Sequence, residues 1–438
     1  MTIIGQNFPM TRIARKESLM KIKQGESVGT IKVPGKGPQP VYKIPLRFLS
    51  YNPHNTRFLA QSKTLERRFA QELSDENPAH VLEIEKIIWN EKLDRNKNTI
   101  DSLIKMGQLQ PGVVTADGVI LAGNRRYRLL SEIVRDPDKY GGSRTDLSGL
   151  DHFEAVILEE SELEKKEIVR YESYYQFGVE EKVEYDPIQK YIAAKEQKDL
   201  GFTYQEIADN FITITKGKKK EVEKWLSVLE IMNEYLEYIG EEGIYTALKG
   251  SEEAFLNLHG ELKRFRGRKA ASVSWAFEDK DLESLKMVYF DYIRLGFKTH
   301  EFRHFSQIFS DGDLWKGFEK NVDSIVSSTN ERIESFEEYR IKNPDEDEIT
   351  ISKKRNNDYK ADAEKALNKI FGNEKAKISI KKLDEKPLES LKRIKKDLTK
   401  LEEDILKNPN NETFETEEFV DAIKELRKII GRIKQRVD

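Results

Sequence analysis

The sequence predicts an α/β domain followed by mainly α-helical domains, the last of them a helical hairpin. Between Tyr42 and Leu158, short β-branched runs alternate with amphipathic helical segments, which is the pattern of a small α/β domain. Beyond Leu158 the apolar residues recur at helical spacing, with one short strand-like run at Ile349 to Ser352. Two C-terminal segments carry heptads, Leu391, Ile394, Leu398, Leu401, Ile405 and then Phe419, Ile423, Leu426, Ile430, Ile433, Val437, separated by the breaker Asn408-Pro409-Asn410-Asn411.

In chain order, residues 1–41 carry Arg12, Arg15, Lys16, Lys21, Lys23, Lys32 and Lys36 and end in a Gly/Pro-rich stretch, Val33 to Pro38. They read as a basic flexible arm. Val41 to Leu46 reads as a strand; Thr64 to Leu73, Leu82 to Trp89 and Thr99 to Met106 read as helices. Val113-Val114, Val119 to Leu121 and Phe153 to Leu158 are strand-like, the first two joined by the turn Ala116-Asp117-Gly118. Pro344 to Glu348 reads as an acidic linker. Thr416 is placed to cap the last helix, with Glu417 and Glu418 in its first turn and Lys434 and Arg436 in its last.

A chain of 438 residues exceeds one comfortable core, so two to four domains are expected. Its 75 basic and 78 acidic residues nearly cancel, so any nucleic-acid surface must be a local patch. The absence of cysteine excludes disulfides, thiolate zinc sites and thiol catalysis. No apolar run is long enough to span a bilayer, and Met1 to Met10 lacks the layout of a signal peptide, so a cytoplasmic protein is expected.

The most informative stretch is Gly107-Gln108-Leu109-Gln110-Pro111-Gly112-Val113-Val114, followed by Asp117 to Leu130. Here a strand runs into Gly123, and the helix that follows opens with Asn124, Arg125, Arg126 and Arg128. Glycine allows close backbone approach, a helix N-terminus offers N–H groups, and guanidinium forks take phosphate oxygens in pairs. Surface ion pairing of the same arginines is the competing explanation.

This stretch resembles the ParB/sulfiredoxin-like nucleotide-binding fold, in which G-L-x-Q-P and a hydrophobic strand lead to G-x-R-R-x-R. Upstream, Ile44-Pro45-Leu46 and Asn52-Pro53-His54-Asn55-Thr56-Arg57 resemble the family's N-P-x-x-x-R box, and Phe153 to Leu158 matches the closing strand. The resemblance implies that Gln110, Gly123, Asn124, Arg125, Arg126 and Arg128 hold phosphates and that Arg57 reaches the nucleotide from the other side. The sulfiredoxin branch needs a catalytic cysteine, so the ParB branch is the one implied. Glu172-Ser173-Tyr174-Tyr175-Gln176 and Asp186-Pro187-Ile188 resemble its third box. Serine stands where asparagine is expected, the glutamine is one residue late and Phe177 replaces an arginine. The box implies Glu172 as a Mg²⁺ ligand, with CTP or ATP as the nucleotide and slow hydrolysis as an accompanying activity. No Walker A sequence occurs. Residues 64–98 are an insertion relative to the family.

Gly201 to Phe211 reads as a helix capped by Thr203, with Glu206 completing a capping box. It resembles the first helix of a helix-turn-helix, placed where ParB proteins carry theirs. Lys218 to Leu226 would be the recognition helix, with Val222 and Leu226 inward and Thr203, Gln205, Lys218, Lys219, Lys220 and Lys224 toward DNA. The expected organisation is therefore a basic flexible arm (1–41), a ParB-like nucleotide-binding domain (42–160), a helix-turn-helix region (161–240), a helical domain (241–343), and a linker with heptad hairpin (344–438). Those heptads serve either a hairpin closed within the chain or a homodimer seam. The expected function is nucleotide-dependent DNA binding, with a nuclease or NTPase of mobile-element or phage defence as an alternative.

A rival constellation is His300-Glu301-Phe302-Arg303-His304, a literal H-E-x-x-H, which on a helix sets two imidazoles and a carboxylate for zinc hydrolysis. Glu319 and Glu331 are third-ligand candidates. Against this, Arg303 sits where the pattern is uncharged, and the histidines can equally be structural beside Phe302, Phe305, Phe309 and Trp315.

Overall fold

The computed structural model describes residues 10–437 apart from 34–35, 141–146, 148, 160–164, 174, 176–186, 268–272 and 410. The chain begins with α1 (Arg12–Lys23), β1 (Gly29–Val33), β2 (Gly37–Pro45) and β3 (Ser50–Tyr51). The helices α2 (Leu59–Phe69), α3 (Pro78–Glu91) and α4 (Leu93–Met106) follow. Then come β4 (Gly112–Val114), β5 (Val119–Ala122), α5 (Asn124–Arg135), α6 (Pro137–Tyr140), β6 (His152–Ile157) and α7 (Lys165–Ser173). The strands form one six-stranded mixed sheet in the order β1-β2-β6-β4-β5-β3. The β6–β4 and β5–β3 pairs are parallel and the other pairs antiparallel. Alternate strand residues fill two cores. Ile44, Tyr51, Val114, Ile120, Phe153 and Ala155 meet α3, α4 and α5 on one face, while Val41, Val113, Leu121 and Val156 meet Tyr171 of α7 on the other.

The expected flexible arm is corrected: α1, β1 and most of β2 belong to the α/β domain. Leu19 is fully buried in its core, and β1 pairs with β2 from Gly29↔Val41 to Val33↔Gly37. The fully buried Arg15 is ion-paired to Asp75 and donates through Nε to the Asp117 carbonyl at 2.9 Å. Arg12 reaches the same carboxylate at 2.6 Å. Two of the charges that suggested a solvated tail are thus spent on one internal acid.

The remaining chain is helical: α8 (Pro187–Asp199), α9 (Tyr204–Asn210), α10 (Ile212–Thr215), α11 (Lys219–Tyr238), α12 (Glu252–Arg266) and α13 (Asp279–Arg294). It continues through α14 (Arg303–Phe309), α15 (Gly312–Asn330), α16 (Phe336–Lys342), α17 (Glu348–Lys407) and α18 (Glu417–Val437). No expected boundary at 240 divides this part, because one continuous core runs from Ile188 through Trp225, Phe290 and Trp315 to Ile378.

The expected linker and strand near 344–352 are also corrected. Asp347 caps α17 by accepting from the Thr350 amide at 2.7 Å, and Ile349 to Ser352 form its first turns. Glu348 is buried and ion-paired with Arg340 at 2.8 Å. The 60-residue α17 then serves two structures. Its first half sinks Ile351, Tyr359, Ala363, Leu367 and Phe371 into the helical domain. Past Pro387 it carries the first heptad set, which lines an apolar groove of about 600 Å³ together with Ile423 and Ile430 of α18. Buried polar contacts lock the packed half in place. Asp291 of α13 accepts from the Tyr238 hydroxyl at 2.8 Å and lies beside Tyr359, while Arg355 pairs with Glu241 at 3.1 Å. Among the described residues no helix is long and apolar enough to cross a membrane.

Candidate anion cleft and helix-turn-helix

β5 delivers the chain to Gly123, whose φ of 106° lies in the left-handed region. A Cβ there would sit 2.7 Å from the Phe153 ring, so only glycine lets the strand turn into α5 this close to β6. Gly112 is packed against the same ring, where a Cβ would come within 2.4 Å. No side chain caps α5, so its first N–H groups face whatever occupies the space before it.

That space is a cleft of about 610 Å³. Gly123, Asn124, Arg125 and Arg126 line it from α5, Arg57 and Phe58 from the turn after β3, and Gln110 and Pro111 from the approach to β4. The segment α3–α4 supplies Ile88, Glu91, Lys92, Arg95 and Thr99, while Ile31, Ala122 and Tyr175 add an apolar patch. Among the described lining residues, five cations therefore meet one carboxylate. Arg57 Nε lies 3.5 Å from Glu91 Oε1, and Arg125 donates to Asn96 Oδ1 at 3.1 Å. Burial pulls the Arg125 pKa down, opposed by Glu91 and reinforced by Arg57 and Arg95. Burial likewise raises the Glu91 pKa, opposed by Arg57, Lys92 and Arg125. Partly desolvated guanidinium groups pressed together are stabilised by an added anion.

Of the residues expected to hold nucleotide, Arg57, Gln110, Gly123, Asn124, Arg125 and Arg126 come together in this cleft. Asn124 is also a brace: its Oδ1 accepts from the Asn52 amide at 3.2 Å and its Nδ2 donates to the Ile120 carbonyl at 2.8 Å. Arg128 does not line the cleft. Its guanidinium pairs with Glu132 at 2.8 Å and lies 4.8 Å from the Trp89 ring centre, clamping α5 to α3.

Glu172 is likewise set apart from the cleft lining. Fully buried, it accepts from Asn52 Nδ2 at 2.7 Å and from the Thr56 amide at 2.6 Å, holding the loop that presents Arg57. Burial pushes its pKa well above the ordinary carboxylate value. Each of its oxygens thus accepts one hydrogen bond that braces this loop. Among the described residues no group of three His, Asp or Glu is arranged to hold a metal. Gln176 and Asp186 of the third box lie outside the described residues; Tyr175 lines the cleft and Pro187 begins α8.

The capping box forms as read: Thr203 Oγ1 accepts from the Glu206 amide, and Glu206 accepts from the Thr203 amide at 2.7 Å. α10 and the left-handed pair Lys216 and Gly217 fill the long turn before α11. Phe211 and Trp225 meet edge to face at 5.5 Å, and Val222 is fully buried beneath them, while Leu226 is half-buried. Lys218, Lys219, Lys220 and Lys224 are exposed, and none is ion-paired with a described residue. Thr203 is occupied by its cap. Gln205 donates to Asp209 at 2.9 Å and to the Gly217 carbonyl at 3.2 Å, so both support the turn more than they offer an outward contact.

The H-E-x-x-H string does not lie on one helix. His300 and Glu301 end a 3₁₀ turn, and α14 starts at Arg303. Glu301 pairs with Lys375 at 2.8 Å and with His300 at 3.2 Å, while His304 faces the Phe371 ring. Phe302, Phe305, Phe309 and Trp315 are buried as expected.

Among the polar cleft residues that sequence reasoning missed, Glu91, Lys92 and Arg95 come from the insertion and Thr99 lies just past it. Comparison with protein-family models, curated proteins and solved structures finds no match to this chain.

Proposed function

We propose that this protein is a ParB-like, nucleotide-dependent DNA-binding switch in which a nucleoside triphosphate occupies the cleft before α5 and DNA meets the exposed start of α11. The observation that carries the reading is the gathering of Arg57, Lys92, Arg95, Arg125 and Arg126 around the uncapped start of α5. Such a site suits a polyanion and offers little to a neutral ligand. The resemblance in Asn52 to Arg57 and Gly107 to Arg128 supports a nucleotide as that polyanion. Coupling between sites has a covalent and hydrogen-bonded route to act through. Glu172 holds the Arg57 loop, and the neighbouring Ser173 accepts from Gln197 at 2.8 Å, whose Oε1 accepts from Asn210 of α9 at 2.8 Å. The test is calorimetry with CTP, ATP, GTP and UTP, with and without DNA. Tight triphosphate binding that changes DNA affinity supports the switch; no binding of any triphosphate removes it. Linkage requires DNA to alter triphosphate affinity by the same factor.

The partner of the C-terminal hairpin is read as a second copy of the chain, lying antiparallel. Ile394, Ile423, Ile429, Ile430 and Ile433 stay exposed in the single chain. Charge along the hairpin is strongly polarised. Residues 402–421, around its tip, include Glu402, Glu403, Asp404, Glu417, Glu418 and Asp421 with Lys407 as the lone cation. The opposite end, residues 391–400 and 424–437, includes Lys392, Arg393, Lys395, Lys396, Arg427, Lys428, Arg432 and Arg436 against Asp397 and Glu425. Folding the hairpin places like charge beside like. An antiparallel second hairpin places the acidic tip against a basic end and covers the apolar stripe.

A further inference from the structure

The helices inserted between the first box and β4 build one wall of the cleft, and among the described lining residues they bring to it the sole carboxylate. Glu91 ends α3, and its Oε1 stands 3.5 Å from Arg57 Nε. The two side chains are 19% and 21% exposed, so this pair is screened far less than a surface one. The charged groups around them are Arg57 from the turn after β3, Lys92 between α3 and α4, Asp94 and Arg95 from α4, and Arg125 and Arg126 from α5. A carboxylate among so many cations is a poor place for a divalent metal. It is a good place for a built-in substitute for a bound anion.

We infer that Glu91 is an internal counter-anion that holds Arg57 in the free protein and that an incoming polyphosphate must displace, making it a determinant of which anions the cleft accepts. The inference rests on the reading of the cleft as a polyphosphate site. Repulsion between Glu91 and a ligand grows with ligand charge, so Glu91 restrains a triphosphate more than a monophosphate. It also keeps the cations from repelling one another when the cleft is empty. The inserted wall therefore sets both affinity and charge selectivity, while the cradle at Gly123 supplies the contacts.

The experiment is calorimetric titration of wild type and Glu91→Gln with inorganic tripolyphosphate and with orthophosphate, which separates charge recognition from base recognition. The variant should bind tripolyphosphate about tenfold more tightly than wild type, and orthophosphate by no more than about threefold. Without ligand the variant should melt at a lower temperature than wild type, and tripolyphosphate should raise its melting temperature more. A merely structural role would lower the melting temperature without tightening binding. Because burial raises the Glu91 pKa, the advantage of the variant should shrink as pH falls and wild type neutralises the same group. Equal affinities in the two proteins overturn the inference while leaving the cleft intact as an anion site. Weaker binding by Glu91→Gln, or loss of a Mg²⁺ requirement in the variant, overturns it in favour of a direct contact to ligand or metal. If neither protein binds either anion, the polyphosphate reading itself fails and takes the inference with it.

Discussion

Arginines 126 and 128 stand two residues apart on α5, and alanine at each should give opposite signatures. Arg126 lines the cleft, so Arg126→Ala removes a charge-assisted contact to a bound phosphate. Such a contact contributes about 1.5 to 3 kcal/mol, which weakens triphosphate binding by about 10- to 150-fold. Arg128 is 8% exposed; its ion pair with Glu132 spans one helical turn and its guanidinium covers Trp89 at 4.8 Å. A pair of that kind contributes about 0.3 to 0.5 kcal/mol and a partly desolvated cation–π contact about 0.5 to 2 kcal/mol, with further loss from the packed stem. Arg128→Ala should therefore cost about 1 to 3 kcal/mol of stability and leave triphosphate affinity within about twofold. Calorimetry gives the affinities, and denaturant melts of the same preparations give the stabilities. A loss of affinity in Arg128→Ala as large as in Arg126→Ala, with normal melting, would falsify the division of α5 into a cleft face and a clamp face.

Three further outcomes are expected. DNA affinity should fall steeply with salt, and a Lys219→Ala, Lys220→Ala double variant should flatten the log–log slope by about two units; an unchanged slope places the DNA elsewhere. Asp291, held near a pKa of about 7 by burial and against Tyr238 and Tyr359, binds its proton more tightly folded than unfolded. Its contribution is thus full below about pH 4 and is lost as pH rises through 7. Stability should fall by at most about 4 kcal/mol across that window, and Asp291→Asn should show no such slope in melts at pH 5 and 8. Reversing the hairpin tip with Glu402→Lys, Glu403→Lys and Asp404→Lys should abolish the dimer in light scattering. Mixing this variant with one carrying Lys392→Glu, Arg393→Glu and Lys396→Glu should restore pairing; a dimer that survives tip reversal is not assembled antiparallel by charge.

The parts of the fold legible in the sequence were those written in local chemistry. The strands around Gly112 to Ala122, the glycine before α5 and the Thr203 capping box each depend on residues a few positions apart. What stayed hidden depends on residues far apart in the chain. Nothing near Arg15 announces Asp75 or the carbonyl of Asp117, so a folded helix and hairpin read as a solvated tail. Glu91, Lys92 and Arg95 fell between the expected helices Leu82 to Trp89 and Thr99 to Met106 and drew no reading, because a charged stripe looks the same whether it meets water or a ligand. Glu172 was legible as important but not as a brace: its position matched a box, while its partners Asn52 and Thr56 lie more than a hundred residues away. Ile349 to Ser352 was misread because β-branched residues favour strands in isolation, whereas the Asp347 cap and packing beneath Ile351 commit them to helix.

The length of α17 has a mechanical meaning. Sixty helical residues extend roughly 90 Å, and the part beyond Ile378 accounts for roughly half of that. Since no loop separates the half packed against Tyr238 and Asp291 from the half that carries the hairpin, the helix is a lever rooted in the body that bears α11. Pro387 removes one rung of its backbone ladder and concentrates bending there. On the proposed function, two copies joined along their hairpins would hold their α11 helices at a separation set by a ruler with a single joint, and paired DNA sites would be chosen by spacing as much as by bases.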